Sequence, residues 1–265
     1  MQHLKLALVQ TNIVWQNAIE NRRLYAAKIN QISEQVDVIV LPEMFTTGFS
    51  MHPDGIAETM DGETVVWMQQ MAADKNAAIC GSVIISAANK YYNRFLFVHP
   101  SGAIEYYNKR HLFTLAGEDK VYAMGNKKLI IDYKGWKICP LVCYDLRFPV
   151  WARNVENYDV LIYVANWPKQ RIAAWDNLLK ARAIENMCYT IGVNRIGKDA
   201  NGLEYPGHCA VYDCLGEKLS NSIQNKESIE VISIQKDHLE KTRNQLNFLN
   251  DKDVFEVKDS VSQNE

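Results

Sequence analysis

The chain has 265 residues, 48% of them hydrophobic, so it can bury a sizeable core as one large α/β domain or as two small ones. Its 29 basic and 31 acidic residues give a formal net charge of -2, so no strong field attracts nucleic acid or an anionic membrane surface. This balance favours a small-molecule ligand over either of those partners.

The first residues enter a strand pattern at once, without the basic and apolar segments of a secretory leader. No stretch approaches the roughly 18 apolar residues that a membrane span needs. These features predict a cytoplasmic protein with no membrane partner, in which the six cysteines are thiols rather than a disulfide framework.

Strand-like and helix-like segments alternate along the chain, as is typical of layered α/β proteins. Short runs rich in β-branched and aliphatic residues predict strands at 4–10, 36–41, 77–86, 93–100, 103–107, 129–133, 136–142, 160–164, 188–194, 209–212 and 228–234. Apolar residues three or four apart predict helices at 17–33, 64–75 and 175–186. Ser-Gly at 101–102 and Lys-Gly at 134–135 predict the turns of two hairpins.

Reactive side chains follow two of these strands. Cys143 comes directly after the buried run 138–142, and Glu43 comes one proline after the run 36–41. Ligands of layered α/β proteins usually bind at the carboxyl ends of strands. Each residue also has a structural interpretation when it is considered alone: most free cysteines are small buried hydrophobes, Glu43 could begin a helix, and Lys109 could belong to a solvated basic turn.

Three segments of the chain, in this order, resemble the signature segments of the nitrilase, or carbon-nitrogen hydrolase, superfamily. They are Leu-Pro-Glu-Met-Phe at 41–45, Tyr-Asn-Lys-Arg-His-Leu-Phe at 107–113 and Leu-Val-Cys-Tyr-Asp-Leu-Arg-Phe-Pro at 141–149, with further matches at 181–186 and 207–208. Within the superfamily the sequence is most similar to the bacterial omega-amidases, the 2-oxoglutaramate or 2-oxosuccinamate amidases, through residues 46–51, 163–168 and 249–255.

This resemblance implies a four-layer αββα sandwich, in which two mixed sheets pack face to face with helices outside. It further implies that the chain forms a homodimer, for which we expect residues 176–186 to supply part of the contact. Residues 1–245 would form the carbon-nitrogen hydrolase domain. Residues 246–265 would be a C-terminal extension, and its charged, polar final residues are expected to fray.

Hydrolysis of a primary amide needs a strong nucleophile, a proton shuttle and a clamp for the oxyanion, because resonance protects the carbonyl and ammonia leaves poorly. The resemblance implies that Cys143 is the nucleophile, that Glu43 moves the proton, and that Lys109 and the backbone N–H of Tyr144 hold the oxyanion. Glu118 occupies the place of a second glutamate that orients the lysine or the substrate. The resemblance implies neither a metal nor a cofactor.

The substrate pocket is less well defined by the sequence. Trp167, which follows a predicted strand, and Phe113 are candidates for its wall, although aromatic residues at such positions are most often core. Arg147 or Arg171 could bind a substrate carboxylate, but an ion pair is the preferred role of Arg147.

Two histidines could also be read as partners of the cysteine. His111 and His208 are instead expected to be structural hydrogen-bonding residues rather than members of a Cys–His dyad.

The predicted function is hydrolysis of the terminal amide of a short 2-oxo dicarboxylic acid monoamide, giving the diacid and ammonia through a cysteine thioester. Rival substrates are N-carbamoyl amines, nitriles and other small aliphatic amides. From other classes, the chain could be a catalytically silent binding protein on the same fold, which an intact Glu–Lys–Cys set disfavours. A thiol redox protein is disfavoured because the sequence contains no C-x-x-C pair.

Overall fold

A computed structural model describes residues 2–258. The expected fraying of the chain end falls on residues 259–265 and lies outside the described residues. The helices are α1 (Ala18–Asn30), α2 (Glu63–Lys75), α3 (Pro149–Ala152), α4 (Ile172–Asn186) and α5 (Lys236–Leu246). The predicted helices correspond to α1, α2 and α4, whereas α3 and α5 were not predicted.

The strands of the first half are β1 (His3–Gln10), β2 (Val38–Val40), β3 (Ala78–Ala87), β4 (Lys90–Val98), β5 (Ile104–Asn108), β6 (Ile131–Tyr133) and β7 (Trp136–Val142). Those of the second half are β8 (Val160–Ala165), β9 (Tyr189–Asn194), β10 (Ile196–Lys198), β11 (Glu204–Pro206), β12 (Ala210–Tyr212) and β13 (Ser228–Gln235). Both predicted hairpins are present, as β4–β5 and β6–β7.

Two mixed sheets organise these strands. The six-stranded sheet has the order β13-β1-β2-β3-β4-β5, with β1, β2 and β3 parallel, and the five-stranded sheet has the order β12-β9-β8-β7-β6, with β7, β8 and β9 parallel. The strands β10 and β11 form a separate hairpin that the sequence analysis did not predict.

The alternation of side chains between the two faces of β1 shows how the sheets pack. In β1, Leu6 and Leu8 belong to the large core that also contains strands of the second sheet, whereas Ala7 and Val9 pack with residues of α1 and α2. Successive side chains of a strand point to opposite faces, so β1 has the second sheet on one side and helices on the other. With Trp175 and Leu179 of α4 in the large core as well, the predicted αββα sandwich is confirmed.

The differences from the predicted elements have local causes. The strand β4 begins at Lys90, earlier than predicted, and pairs with β3 through a tight turn in which Ala88 and Asn89 both have positive φ. Hairpin turns of this kind usually contain glycine, so Ala-Asn gave no turn signal. The hairpin β10–β11 was missed because each of its short strands, Ile-Gly-Lys and Glu-Tyr-Pro, contains only one β-branched or aromatic residue.

Candidate active site

Two sharp turns carry the side chains that the sequence singled out. Glu43 follows the end of β2 and Cys143 follows the end of β7, and both turns contain a non-glycine residue at positive φ, Met44 at 42° and Cys143 at 44°. Such backbone conformations cost free energy and occur preferentially at functional sites. Glu43 lies in a turn rather than at the start of a helix, so its structural interpretation does not apply.

Lys109 sits between two carboxylates. Its Nζ lies 3.0 Å from Oε1 of Glu43, and 3.0 Å and 2.9 Å from the two carboxylate oxygens of Glu118. The side chains of all three residues are fully buried. We call Glu43, Lys109 and Glu118 the buried charge cluster. The loop position of Glu118 thus contributes directly to the site, as the resemblance implied.

The pKa values in the cluster reflect burial opposed by charge. Burial lowers the pKa of Lys109, but the carboxylates of Glu118 and Glu43 outweigh it and raise the pKa above its ordinary value. The pKa of Glu118 is raised, chiefly by burial, with Lys109 opposing and Glu43 adding to the shift. The lysine is therefore a permanent ammonium in the working pH range.

Two asparagines that the sequence analysis missed hold the glutamates. The Asn93 side chain donates to Oε1 of Glu43 at 2.7 Å and approaches Oε1 of Glu118 at 3.3 Å. The backbone N–H of Asn166 donates to Oε2 of Glu43 at 2.8 Å, and its side chain donates to the Glu43 carbonyl at 2.6 Å. Asn166 directly follows β8, so the criterion of a polar residue at a strand end would have found it.

Cys143 is a thiol in the resting site. Burial and the nearby Glu43 carboxylate raise its pKa well above the ordinary value, while Lys109 acts in the opposite direction. The Sγ atom makes a long contact of 4.0 Å with the backbone carbonyl of Asn166. The ammonium of Lys109 favours the thiolate, but burial and the Glu43 carboxylate outweigh it. A thiol in this state needs a base before it can react as a nucleophile.

A cavity of about 350 Å³ opens onto this site. Cys143, Lys109 and Tyr144 line it, together with both predicted wall residues, Trp167 and Phe113. The carboxylates of the buried charge cluster are not part of this lining. The lining also includes residues that the sequence analysis did not assign to the pocket. They come from the β10–β11 hairpin and from the segment 15–52, and they are Trp15, Phe49, Met51, His52, Asp199, Asn201, Leu203 and Tyr205.

Arg147 and Arg171 line the same cavity, and we call them the cavity arginines. The guanidinium of Arg147 lies 5.0 Å from the ring centre of Trp167, and that of Arg171 lies 5.0 Å from the ring centre of Phe113. Within residues 2–258, neither guanidinium forms an ion pair with a carboxylate. The expectation that Arg147 forms an ion pair is therefore wrong for the described chain, because its guanidinium stacks on an indole instead.

The two histidines have structural partners. Nδ1 of His111 lies 2.8 Å from Asp145, and its ring stacks on Phe148 with centroids 3.7 Å apart. Nδ1 of His208 lies 3.0 Å from Asp176 on α4. Neither histidine lines the cavity, so the expectation that they are structural is confirmed.

Two further findings concern the described residues as a whole. In the part of the chain from residue 2 to residue 258, no three His, Cys, Asp or Glu side chains form a group suited to hold a metal ion. Over the same residues, no helix is long and apolar enough to cross a membrane.

A sandwich of two mixed sheets, with a cavity lined by a cysteine and by the lysine of a buried Glu–Lys–Glu cluster, has the side chains that a hydrolase of carbon–nitrogen bonds needs. A family model described as "Carbon-nitrogen hydrolase" matches residues 5–244. The chain belongs to the carbon-nitrogen hydrolase family, and the predicted family resemblance is confirmed.

Three known proteins make the relationship more specific. The chain is 47% identical over 219 residues to the omega-amidase YafV of Yersinia enterocolitica, covering 82% of this chain and 84% of the relative. It is 32% identical over 220 residues to a 2-oxoglutaramate amidase of Bacillus subtilis, covering 81% and 85%. A superfamily protein of Xanthomonas campestris, XC1258, whose crystal structure has an arsenic adduct in the active site, superposes with a TM-score of 0.95 at 42% identity, covering 97% of this chain and all of the other.

Proposed function

We propose that this protein is an omega-amidase that hydrolyses the terminal amide of a short 2-oxo dicarboxylic acid monoamide, such as 2-oxoglutaramate or 2-oxosuccinamate, to the diacid and ammonia. The observation that carries the proposal is the presence of two cationic groups, Arg147 and Arg171, in the cavity that also contains Cys143. Neither has a carboxylate partner among residues 2–258. Guanidinium groups bind carboxylates through charge-assisted hydrogen bonds. The names of the omega-amidase and 2-oxoglutaramate amidase relatives support the same substrate class.

In the proposed first step, Glu43 accepts the thiol proton while Sγ of Cys143 attacks the amide carbon. The carboxylate is suited to this role because it is held by Lys109 and by the Asn166 N–H, so it needs no reorganisation during the reaction. The tetrahedral oxyanion is held by the ammonium of Lys109 and the backbone N–H of Tyr144. Each donor of this kind typically contributes about 3 kcal/mol to stabilisation of the transition state.

In the second half of the reaction, Glu43 delivers the proton to the nitrogen, ammonia leaves, and a thioester remains on Cys143. A water molecule then gives its proton to Glu43 and attacks the thioester carbon. Collapse of the second tetrahedral intermediate releases the acid, and the proton returns to the sulfur. Glu118 keeps Lys109 in place throughout, since it binds the ammonium through both oxygens.

The proposal is tested by ammonia release from 2-oxoglutaramate and 2-oxosuccinamate, compared with glutamine, carbamoyl-putrescine and a simple aliphatic nitrile. We expect the two 2-oxo acid amides to have the highest kcat/KM, and Cys143→Ala to abolish turnover of both. A preference for carbamoyl-putrescine or the nitrile would replace the substrate assignment. Absence of turnover for all five, with a correctly folded protein, would favour the catalytically silent binding protein.

We further propose that the protein is a cytoplasmic homodimer whose contact includes part of α4. An exposed apolar side chain on that helix, Ile184, supports this placement. Light scattering that gives the mass of a single 30.3 kDa chain would contradict the dimer, and cell fractionation tests the location. Within each subunit we propose residues 1–245 as the hydrolase domain and residues 246–265 as an extension.

A further inference from the structure

We propose that Asn93 is a positioning residue that determines which oxygen of Glu43 receives the proton of Cys143, and that Ser82 fixes the orientation of its amide. The inference rests on the proposed roles of Glu43 and Cys143 and deepens them. Asn93 lies in the middle of β4, Ser82 lies in the paired strand β3, and both side chains are buried. The sequence therefore gave no sign that either residue belongs to the site.

The hydrogen bonds of Ser82 determine how the Asn93 amide is oriented. The Ser82 hydroxyl oxygen accepts a hydrogen bond from the backbone N–H of Met44 at 2.9 Å. Its single proton is thus free to donate to Oδ1 of Asn93, 2.8 Å away. With Oδ1 satisfied in this way, the NH₂ group of Asn93 must face the carboxylates. The reverse orientation would place Oδ1 against two carboxylate oxygens, which repel it.

Asn93 connects all members of the buried charge cluster. Its NH₂ group donates to Glu43 at 2.7 Å and lies 3.3 Å from Glu118, and its backbone carbonyl accepts the backbone N–H of Lys109 at 2.9 Å. The cluster contains two carboxylates and one ammonium, so one negative charge is left without a cationic partner within the cluster. A neutral double donor at this place stabilises that excess charge without adding another titrating group.

The donors on Glu43 are distributed unequally. Within residues 2–258, Oε1 accepts hydrogen bonds from both Lys109 and Asn93, whereas Oε2 accepts one from the backbone N–H of Asn166. The carboxylate oxygen with fewer donors keeps more of its basicity. Asn166 also provides the carbonyl that contacts Sγ of Cys143 at 4.0 Å, so the same residue contacts both Oε2 and the nucleophile. Asn93 thereby directs the proton of Cys143 to Oε2.

The test replaces Asn93 by a side chain whose capacity to donate a hydrogen bond depends on pH. Asn93→Asp keeps the size of the side chain but donates a hydrogen bond only while the new carboxyl is protonated. The ionisable groups that face it are Glu43, Glu118, Lys109 and Cys143, and Tyr122 interacts electrostatically with the first three. As pH rises and the carboxyl ionises, a third negative charge beside Glu43 and Glu118 opposes formation of the thiolate.

The main readout is the rate at which iodoacetamide alkylates Cys143, identified by peptide mass spectrometry, because it requires no knowledge of the substrate. We expect the rate of Asn93→Asp relative to wild type to fall progressively with rising pH. Asn93→Leu, which donates at no pH, is expected to be slower than wild type by about 10²-fold over the whole range. A pH-independent ratio for Asn93→Asp, or a wild-type rate for Asn93→Leu, would overturn the proposal.

Circular dichroism would show whether the Asn93 variants fold. If they do not, a second pair of variants with smaller changes tests the proposal. Ser82→Ala removes the hydrogen bond that orients the Asn93 amide and is expected to slow alkylation of Cys143 by about three- to tenfold. Ser86→Ala, four residues further along β3 and outside the cluster, is expected to react like wild type. Equal rates for Ser82→Ala and wild type would refute the role of Ser82.

Ammonia release gives a second readout that separates the two proposals. Asn93 does not line the cavity, so Asn93→Asp is expected to lower kcat while KM stays unchanged. If wild-type protein releases no ammonia from any amide but the alkylation rates behave as described, the proposed function fails and the positioning role stands. If ammonia release is as expected but alkylation is insensitive to Asn93, the positioning role fails alone.

Discussion

The buried charge cluster, through Lys109, and the cavity arginines border the same cavity but satisfy their charges in opposite ways. In the cluster, every charged group has a partner within 3.0 Å and no contact with solvent. The cavity arginines are partly exposed and lie over aromatic rings, and within the described residues no carboxylate neutralises them. A paired charge is suited to chemistry that is the same for every amide, whereas an unpaired one is suited to recognise an anion.

We expect the largest loss of activity and stability from a substitution in the buried charge cluster. Lys109→Met removes the ammonium from between two buried carboxylates and, in the proposed mechanism, removes a donor to the oxyanion. We expect kcat/KM to fall by at least about 10³-fold and the free energy of unfolding to fall by about 3–5 kcal/mol, because one-sided removal leaves buried charge uncompensated.

The matched control is Lys169→Met, since Lys169 forms an ion pair with Glu204 at the exposed surface. Surface pairs contribute about 0–1 kcal/mol, so this variant should retain wild-type activity and nearly all of its stability. Urea denaturation and initial rates of ammonia release measure both quantities. Similar losses of activity and stability in the two lysine variants would show that the buried cluster contributes no more than a surface ion pair.

The cavity arginines are tested by Arg147→Gln and Arg171→Gln. A hydrogen bond to a charged group contributes about 1.5–3 kcal/mol, so the variant that loses the carboxylate contact should show a KM for 2-oxoglutaramate about 10–100-fold higher. Turnover of a neutral aliphatic amide of the same chain length should stay unchanged. Two variants that lose activity equally on the charged and the neutral amide would contradict a recognition role.

The last comparison concerns thiols, which also divide between the cavity and the core. Burial raises the pKa of Cys188 and of Cys209 to about 12, and both lie outside the cavity. The folded protein therefore keeps these protons when an unfolded thiol, with a pKa of about 8.5, has lost them. The stability they contribute is complete below about pH 8.5 and is lost as pH rises to about 12.

We expect the free energy of unfolding of wild-type protein to decline in that pH range by up to about 1.4 kcal/mol per pH unit for each such thiol. The free energy of unfolding of Cys209→Ala should decline less steeply than that of wild type, by up to about 1.4 kcal/mol per pH unit. Denaturation at a series of pH values measures the difference between the two slopes. Parallel curves for wild type and variant would show that the buried thiol does not contribute to alkaline unfolding.

The strand ends at Glu43 and Cys143 were identifiable because local sequence produces them: short apolar runs form buried strands, and the polar residue after each run must lie at a sheet edge. The same reasoning with the family resemblance gave the sandwich and the residues Lys109 and Glu118. The β10–β11 hairpin and the helix α5 were missed because they contain few apolar residues: each strand of the hairpin has one β-branched or aromatic residue, and α5 has two hydrophobic residues among eleven. Contacts with distant parts of the chain order them, such as the ion pair of Arg243 with Asp159.

The sequence by itself determined the alternation of strands and helices, because that depends on residue types that follow one another along the chain, and its resemblance to a known family gave the sandwich and the members of the cluster. Only the tertiary structure decided that Asn93 joins Glu43 and Glu118, that Arg147 stacks on Trp167 instead of forming an ion pair, and that the hairpin closes the cavity. These features depend on contacts between residues far apart in sequence, for which the local pattern of a single chain carries no signal.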